Sequence, residues 1–118
     1  MNEKDTLLKR VVAESGGEIR YVALISGDRI VAEAQAKTEE KPIKDAMSLV
    51  KLIEEGPLKG LQDRVDVRLR DGEHIIIEWA EPFRILCITR TSPNLGKLYI
   101  ILDRLRKEVL KDWKPASS

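Results

Sequence analysis

The sequence predicts an α+β domain: a five-stranded antiparallel sheet, in spatial order 2-1-5-4-3, with helices on both faces. Three observations predict it. Five apolar, period-two segments are punctuated by turn residues at Gly27-Asp28, Asp71-Gly72 and Glu81-Pro82. Three amphipathic segments of helical period lie before, between and after these strands, which gives the order α-β-β-α-β-β-β-α. A chain of 118 residues holds one core and is too short for two. The expected single domain runs over 1–118, with its core from Thr6 to Leu110 and a frayed tail at 114–118.

Leu7, Leu8, Val11 and Val12 share one side of a first helix that stops at Gly16-Gly17, a pair suited to a left-handed cap. Ile19 to Ser26 and Ile30 to Ala36 follow as a hairpin closed by Gly27-Asp28. Pro42 opens a second helix that continues to about Glu55, where Gly56-Pro57 ends it. After the loop from Leu58 to Asp63, the strands Arg64 to Arg70, Glu73 to Trp79 and Phe83 to Thr89 form a meander. The closing helix runs from Leu95 to Leu110, with Ser92 read as its N-cap and Pro93 as its first helical residue.

Strand order follows from how many faces of each strand are apolar. The first strand (Ile19, Tyr21, Ala23, Ile25 against Val22, Leu24) and the fifth (Phe83, Ile85, Cys87 against Leu86, Ile88) are apolar on both sides and belong at the centre. The second and third carry charge on alternate positions (Arg29, Glu33; Asp66, Arg68, Arg70) and belong at the edges. Joining the hairpin to the meander through the central pair gives 2-1-5-4-3.

In the last helix Leu95, Leu98, Leu102, Leu105 and Val109 form a single core stripe. In the second helix Ile43, Ala46, Met47, Leu49, Val50 and Ile53 fill roughly 160°, and Leu52 widens the apolar surface to about 220°. One sheet face needs only about half of that. The excess reads in two ways: Leu52 is a lone exposed leucine, which is common, or the helix serves a second contact, with another protein. The third strand supports the second reading: pairing with its own copy about Val67 places Asp66 opposite Arg68 of the other chain, although the same charges could equally protect the edge against such pairing. The candidate interface is therefore Met47, Leu49, Leu52, Val65, Asp66, Val67 and Arg68, and a two-fold contact would cover helix and edge together.

Composition narrows the partners. Lys+Arg 21 against Asp+Glu 20 leaves a formal charge of +1, so no overall field draws nucleic acid. No apolar run approaches the ~20 residues of a membrane span, and a cytoplasmic protein without stable membrane insertion is expected. The 35% charged fraction with two Asn and two Gln resembles proteins of hot environments, archaeal or thermophilic.

A catalytic or metal site finds no residues to stand on. His74 is the one histidine and sits beside a turn; Cys87 lies inside an apolar strand without a neighbouring base. Asp66, Asp71, Glu73 and Glu78 lack metal-ligand spacing and are expected in solvent. Neither GxGxxG nor GxxxxGK[ST] is present to cradle phosphate, so no cofactor is expected. Lys107, Lys111 and Lys114 cluster at the last helix's C-terminus, where the dipole favours cations.

With this order and these residues, the chain resembles the roadblock family of small dimeric domains that scaffold or regulate small GTPases and also occur as dynein light chains. The resemblance is carried by the hairpin Tyr21 to Ala32 and by Ile85 to Thr89 followed by Pro93-Asn94-Leu95-Gly96-Lys97-Leu98. The tight Gly27-Asp28 turn departs from the longer hairpin of many members and is closer to longin trafficking adaptors. Longins begin at the first strand and end with two helices, whereas here a helix precedes the first strand and one helix closes. The resemblance implies a roadblock/profilin-like fold and a homodimer through the second helix and third strand. It also implies a composite surface for a Ras-like GTPase, without a catalytic residue. The alternatives are a longin-like trafficking adaptor subunit and a small-ligand sensor of PAS or GAF type, which would require a cavity with converging polar groups. Sequence does not separate the homodimer from a heterodimer with a related chain.

Overall fold

The computed structural model describes residues 3–36, 43–56 and 63–112, together with their side chains except those of 43–46 and 112. Eight elements follow in order: α1 (Glu3–Glu14), β1 (Ile19–Ser26), β2 (Arg29–Gln35), α2 (Ile43–Glu55), β3 (Arg64–Arg68), β4 (His74–Ala80), β5 (Phe83–Thr89) and α3 (Leu95–Asp112). The sheet order is β2-β1-β5-β4-β3 and every pairing is antiparallel. Element order and sheet order are those the sequence predicts. Expectations for Pro42, Pro57, the loop at 58–62 and the tail at 114–118 fall outside the described residues.

Period-two burial divides the sheet into two apolar layers. On one face Val22, Leu24, Ile76, Ile85 and Cys87 meet Leu8 and Val11 of α1 and the α3 stripe Leu98, Leu102, Leu105 and Val109. On the other, Tyr21, Ala23, Ile25, Ile77, Trp79, Leu86 and Ile88 meet Val50 of α2, with Met47, Leu49 and Ile53 packed partly buried against them. Strict alternation would put Ile19 with Tyr21, yet it packs on the α1 and α3 side, because the β1–β5 register shifts between Ile19 and Tyr21.

The turns obey local rules. Gly27 alone in its hairpin has positive φ, at 61°, the pattern of a type II′ turn whose twist suits the flanking strands. α1 ends through Gly16 and Gly17, at φ 65° and 90°. Ser15, buried beside them, donates from Oγ to the Val12 carbonyl (2.7 Å) and accepts from Ile19 N–H (3.1 Å).

Two expectations need correction. β3 ends at Arg68, not Arg70, because Leu69 and Gly72 already belong to the turn: Leu69 N–H bonds the Glu73 carbonyl and Gly72 N–H bonds the Leu69 carbonyl. The N-cap of α3 is Asn94, not Ser92. Asn94 Oδ1 accepts Lys97 N–H (3.1 Å), the geometry that satisfies an orphan donor of the first turn. Ser92, at φ 51°, instead donates its N–H to the Gly72 carbonyl and so belongs to the preceding turn.

A candidate interaction surface

The two sheet edges differ. Along β2, α1 crosses the strand, and the Asp5 carboxylate accepts the Glu33 N–H (3.2 Å). Side chains thus protect that edge. β3 pairs with β4 on one side, and no other described strand pairs with it. An edge of this kind is a template for another chain.

The candidate residues divide by face. Val65 opposes Ile77 and Val67 opposes Ile75, so both valines lie on the α2 side, where Val65 and Ile75 join the Met47, Leu49 and Ile53 layer. Val67 is half-buried. Met47, Val50, Lys51 and Glu54 line a cleft of ≈ 330 Å³ with Gly27 and Asp28 of the hairpin. At ~100° per residue Leu49 and Leu52 fall on the opposite flank of α2, turned away from that hairpin. Leu52 is 70% exposed, an isolated leucine on a helix whose other apolar side is already seated.

α2 is anchored at its C-terminal end by charge. Glu54 accepts the Trp79 indole N–H (2.9 Å) and pairs with Arg84 Nε (3.0 Å), while Arg84 Nη2 donates to the Gly27 carbonyl (2.6 Å). One carboxylate therefore ties α2 to β4, β5 and the hairpin.

Asp66 and Arg68 project to the α3 side, and Asp66, though exposed, has both carboxylate oxygens engaged. Its Oδ1 meets His74 Nδ1 at 2.6 Å and its Oδ2 accepts the Tyr99 hydroxyl at 2.5 Å, a bond that pushes the Tyr99 phenol above its ordinary range. Glu78 is 4% exposed and accepts Arg64 Nη2 at 2.9 Å; the same guanidinium reaches Asp103 at 2.7 Å and stacks 4.5 Å over the Tyr99 ring. Burial holds the Glu78 carboxyl above the usual carboxylate range, although Arg64 pulls it down. Glu73 pairs with Arg20. Of the four acids expected in solvent, three are engaged in pairs, because β1 brings Arg20 to Glu73, β3 brings Arg64 to Glu78, and β4 and α3 bring His74 and Tyr99 to Asp66. Arg68 remains exposed, next to Val67 on the open edge.

His74 is a structural bridge: its N–H bonds Thr89 Oγ1 and its ring bonds Asp66. Cys87 is fully buried, and burial, with the charges of Asp66 and Glu78 in support, pushes its thiol up to about 12. Such a thiol is not a nucleophile. Among the described residues no group of three His, Cys, Asp or Glu side chains gathers to hold a metal ion. No described helix is long and apolar enough to cross a membrane.

No protein-family model matches this chain, and no curated protein matches it. Solved structures do. MglB of Myxococcus xanthus superposes with a TM-score of 0.76 at 12% identity, over 94% of this chain and 94% of that one. A Roadblock/LC7 domain of Streptomyces avermitilis gives 0.72 at 15%, over 92% and 99%. The gliding protein MglB of Thermus thermophilus gives 0.72 at 16%, over 90% and 84%. At such identities the likeness establishes the fold, and the fold is that of the roadblock/LC7 domains.

Proposed function

We propose that this chain, which has the roadblock/LC7 fold, is a roadblock protein that acts without chemistry of its own, as a homodimeric scaffold or regulator of a small Ras-like GTPase. One observation carries the reading: the unpaired β3 edge and the exposed Leu52 flank of α2 lie on the same side of the sheet, where one two-fold contact would cover both. In that contact Val67 sits on the axis and the partner's copy of Arg68 faces Asp66, adding a cation to a carboxylate already held by His74 and Tyr99. The GTPase follows from the family resemblance, since roadblock dimers present a composite surface to such partners. The order also favours roadblock over longin, because α1 precedes β1. A PAS- or GAF-type sensor draws less support, because both sheet faces are packed with apolar, mostly aliphatic side chains.

Analytical ultracentrifugation tests the dimer. Leu52→Lys and Val67→Asp are expected to weaken self-association at least tenfold, whereas Ile100→Lys, 57% exposed on α3, leaves it unchanged. A strict monomer at high concentration, or equal effects from all three variants, overturns it. Pull-down from the source cell followed by a GTP hydrolysis assay on the captured GTPase tests the partner; the absence of any GTPase, with the dimer intact, overturns that part alone.

A further inference from the structure

The outward face of α3 carries an unusual distribution of charge. At ~100° per residue Lys107, Ile100, Lys111, Arg104 and Lys97 fall within about 80° of one another, opposite the core stripe Leu98, Leu102, Leu105 and Val109. All five are exposed, and no acidic residue lies between them; Asp103 and Glu108 flank the stripe. From Lys97 to Lys111 the stripe is about 21 Å long. Among the described residues Arg104, Lys107 and Lys111 have no ion-pair or hydrogen-bond partner, whereas Asp103 is taken by Arg64. The helix dipole favours a cation only in the last turn, which accounts for Lys111 but not for Arg104, Lys107 or Lys97.

Beside the stripe runs a slot. α1 and α3 diverge to leave a cleft of ≈ 300 Å³, whose apolar wall includes Leu7 and Ile101, both only partly buried. Its α1 rim is electrically neutral, because Arg10 and Glu14 pair with each other at 3.8 Å. Its α3 rim carries Arg104 and Lys107, with Glu108 between these cations and the apolar wall. A concave apolar slot flanked on one side by free cations is complementary to a helix with aliphatic residues on one face and carboxylates beside them. A flat anionic bilayer would meet the cations but could not enter the slot.

We propose that the α1–α3 face is a docking site for an acidic amphipathic helix of a partner protein. Its aliphatic residues enter the slot over Leu7 and Ile101, and its carboxylates, spaced at i, i+4 and i+7, lie along Arg104, Lys107 and Lys111. Glu108, on the slot side of the stripe, sets the orientation by excluding partner acids from the slot itself. The face is on the opposite side of the sheet from α2, so the site does not depend on the dimer or the GTPase.

The test is fluorescence anisotropy with a labelled model peptide of about 16 residues, helical, with Leu on one face and Glu along the adjoining stripe. Binding is expected, weakening as salt rises, and weakening roughly tenfold in the double variant Arg104→Glu/Lys107→Glu. It should persist in Arg104→Lys/Lys107→Arg and in Arg29→Glu/Lys51→Glu, which remove equal charge elsewhere. Circular dichroism confirms that each variant folds. No binding, or equal loss in the Arg29→Glu/Lys51→Glu control, overturns the proposal. Co-sedimentation with phosphatidylserine–phosphatidylcholine vesicles in the absence of peptide binding overturns it in favour of a lipid surface. A change in self-association caused by Arg104→Glu/Lys107→Glu overturns it in favour of a second copy of this chain.

Discussion

Glu78 sits between Ile77 and Trp79 on a strand whose last five residues are all buried, and it keeps its place through Arg64 on the neighbouring strand. Removing one partner from such a pair strands the other charge away from water, which costs more than the pair itself contributes. Arg64→Met is therefore expected to destabilise the protein by about 3 kcal/mol in urea denaturation, and Arg64→Met/Glu78→Met by clearly less. An equal or larger loss in the double variant would show that the pair is net stabilising. The same carboxylate gives a pH signature. Burial raises its folded value above the ordinary 4.5, so the folded state holds the proton more tightly than the unfolded chain. The resulting stability is fully present below the unfolded value and is lost as pH rises through the folded one. Glu78→Gln should flatten that decline, measured by urea denaturation at about pH 4 and about pH 7; an unchanged slope would refute the assignment.

At the scale of elements, α3 shows how local signals compete. Ser92 and Asn94 are both good caps, and Pro93 suits a first helical position, so sequence alone allows a start two residues early. The Asp71-Gly72 turn decides between them by claiming Ser92 N–H. Gly72, at φ 91°, also sits where a Cβ would come within 2.9 Å of Thr91 Cγ2, so the turn and the α3 entry pack as one unit. Asn94→Ala is expected to cost about 1 kcal/mol, while Ser92→Gly, which keeps the N–H and suits positive φ, costs nothing measurable. Guanidinium titration of both variants checks this, and a reversed order would restore Ser92 as the cap. For α2 the apolar arc was legible from spacing, and Leu52 is exposed as that arc implies. The Glu54 anchor was not legible, since Trp79 lies 25 residues away.

For the whole molecule, the sheet separates two surfaces. The α2 side offers the exposed Leu52 and an open strand edge, where the proposed dimer would form; the α3 side offers cations along one rim of a slot. The two are joined through β3, because Arg64 and Asp66 on the edge strand are held by Asp103 and Tyr99 of α3. If the folded dimer is the stable species, mass action makes unfolding concentration-dependent. The thermal midpoint should rise as the wild-type concentration is raised a hundredfold, by about 3 °C or more, and the rise should vanish in Val67→Asp. A midpoint independent of concentration in the wild type would argue for a monomer.

What the sequence determined by itself is the set of elements, their order, the central and edge strands and the two apolar layers. Each of these depends on residue spacings of two to four and on turn residues within a few positions, which solvent exclusion reads directly. Only the tertiary structure decided which polar groups are paired. Asp66 and Tyr99 are 33 residues apart, Arg64 and Asp103 39, and Arg84 and the Gly27 carbonyl 57, so no local pattern carries them. Only the assembled sheet, too, decided the register shift that turns Ile19 toward α1 and α3. Apolar burial is non-directional and tolerates reading from pattern, whereas a hydrogen bond requires two particular atoms within about 3 Å, and chain-distant atoms meet only once the fold has formed.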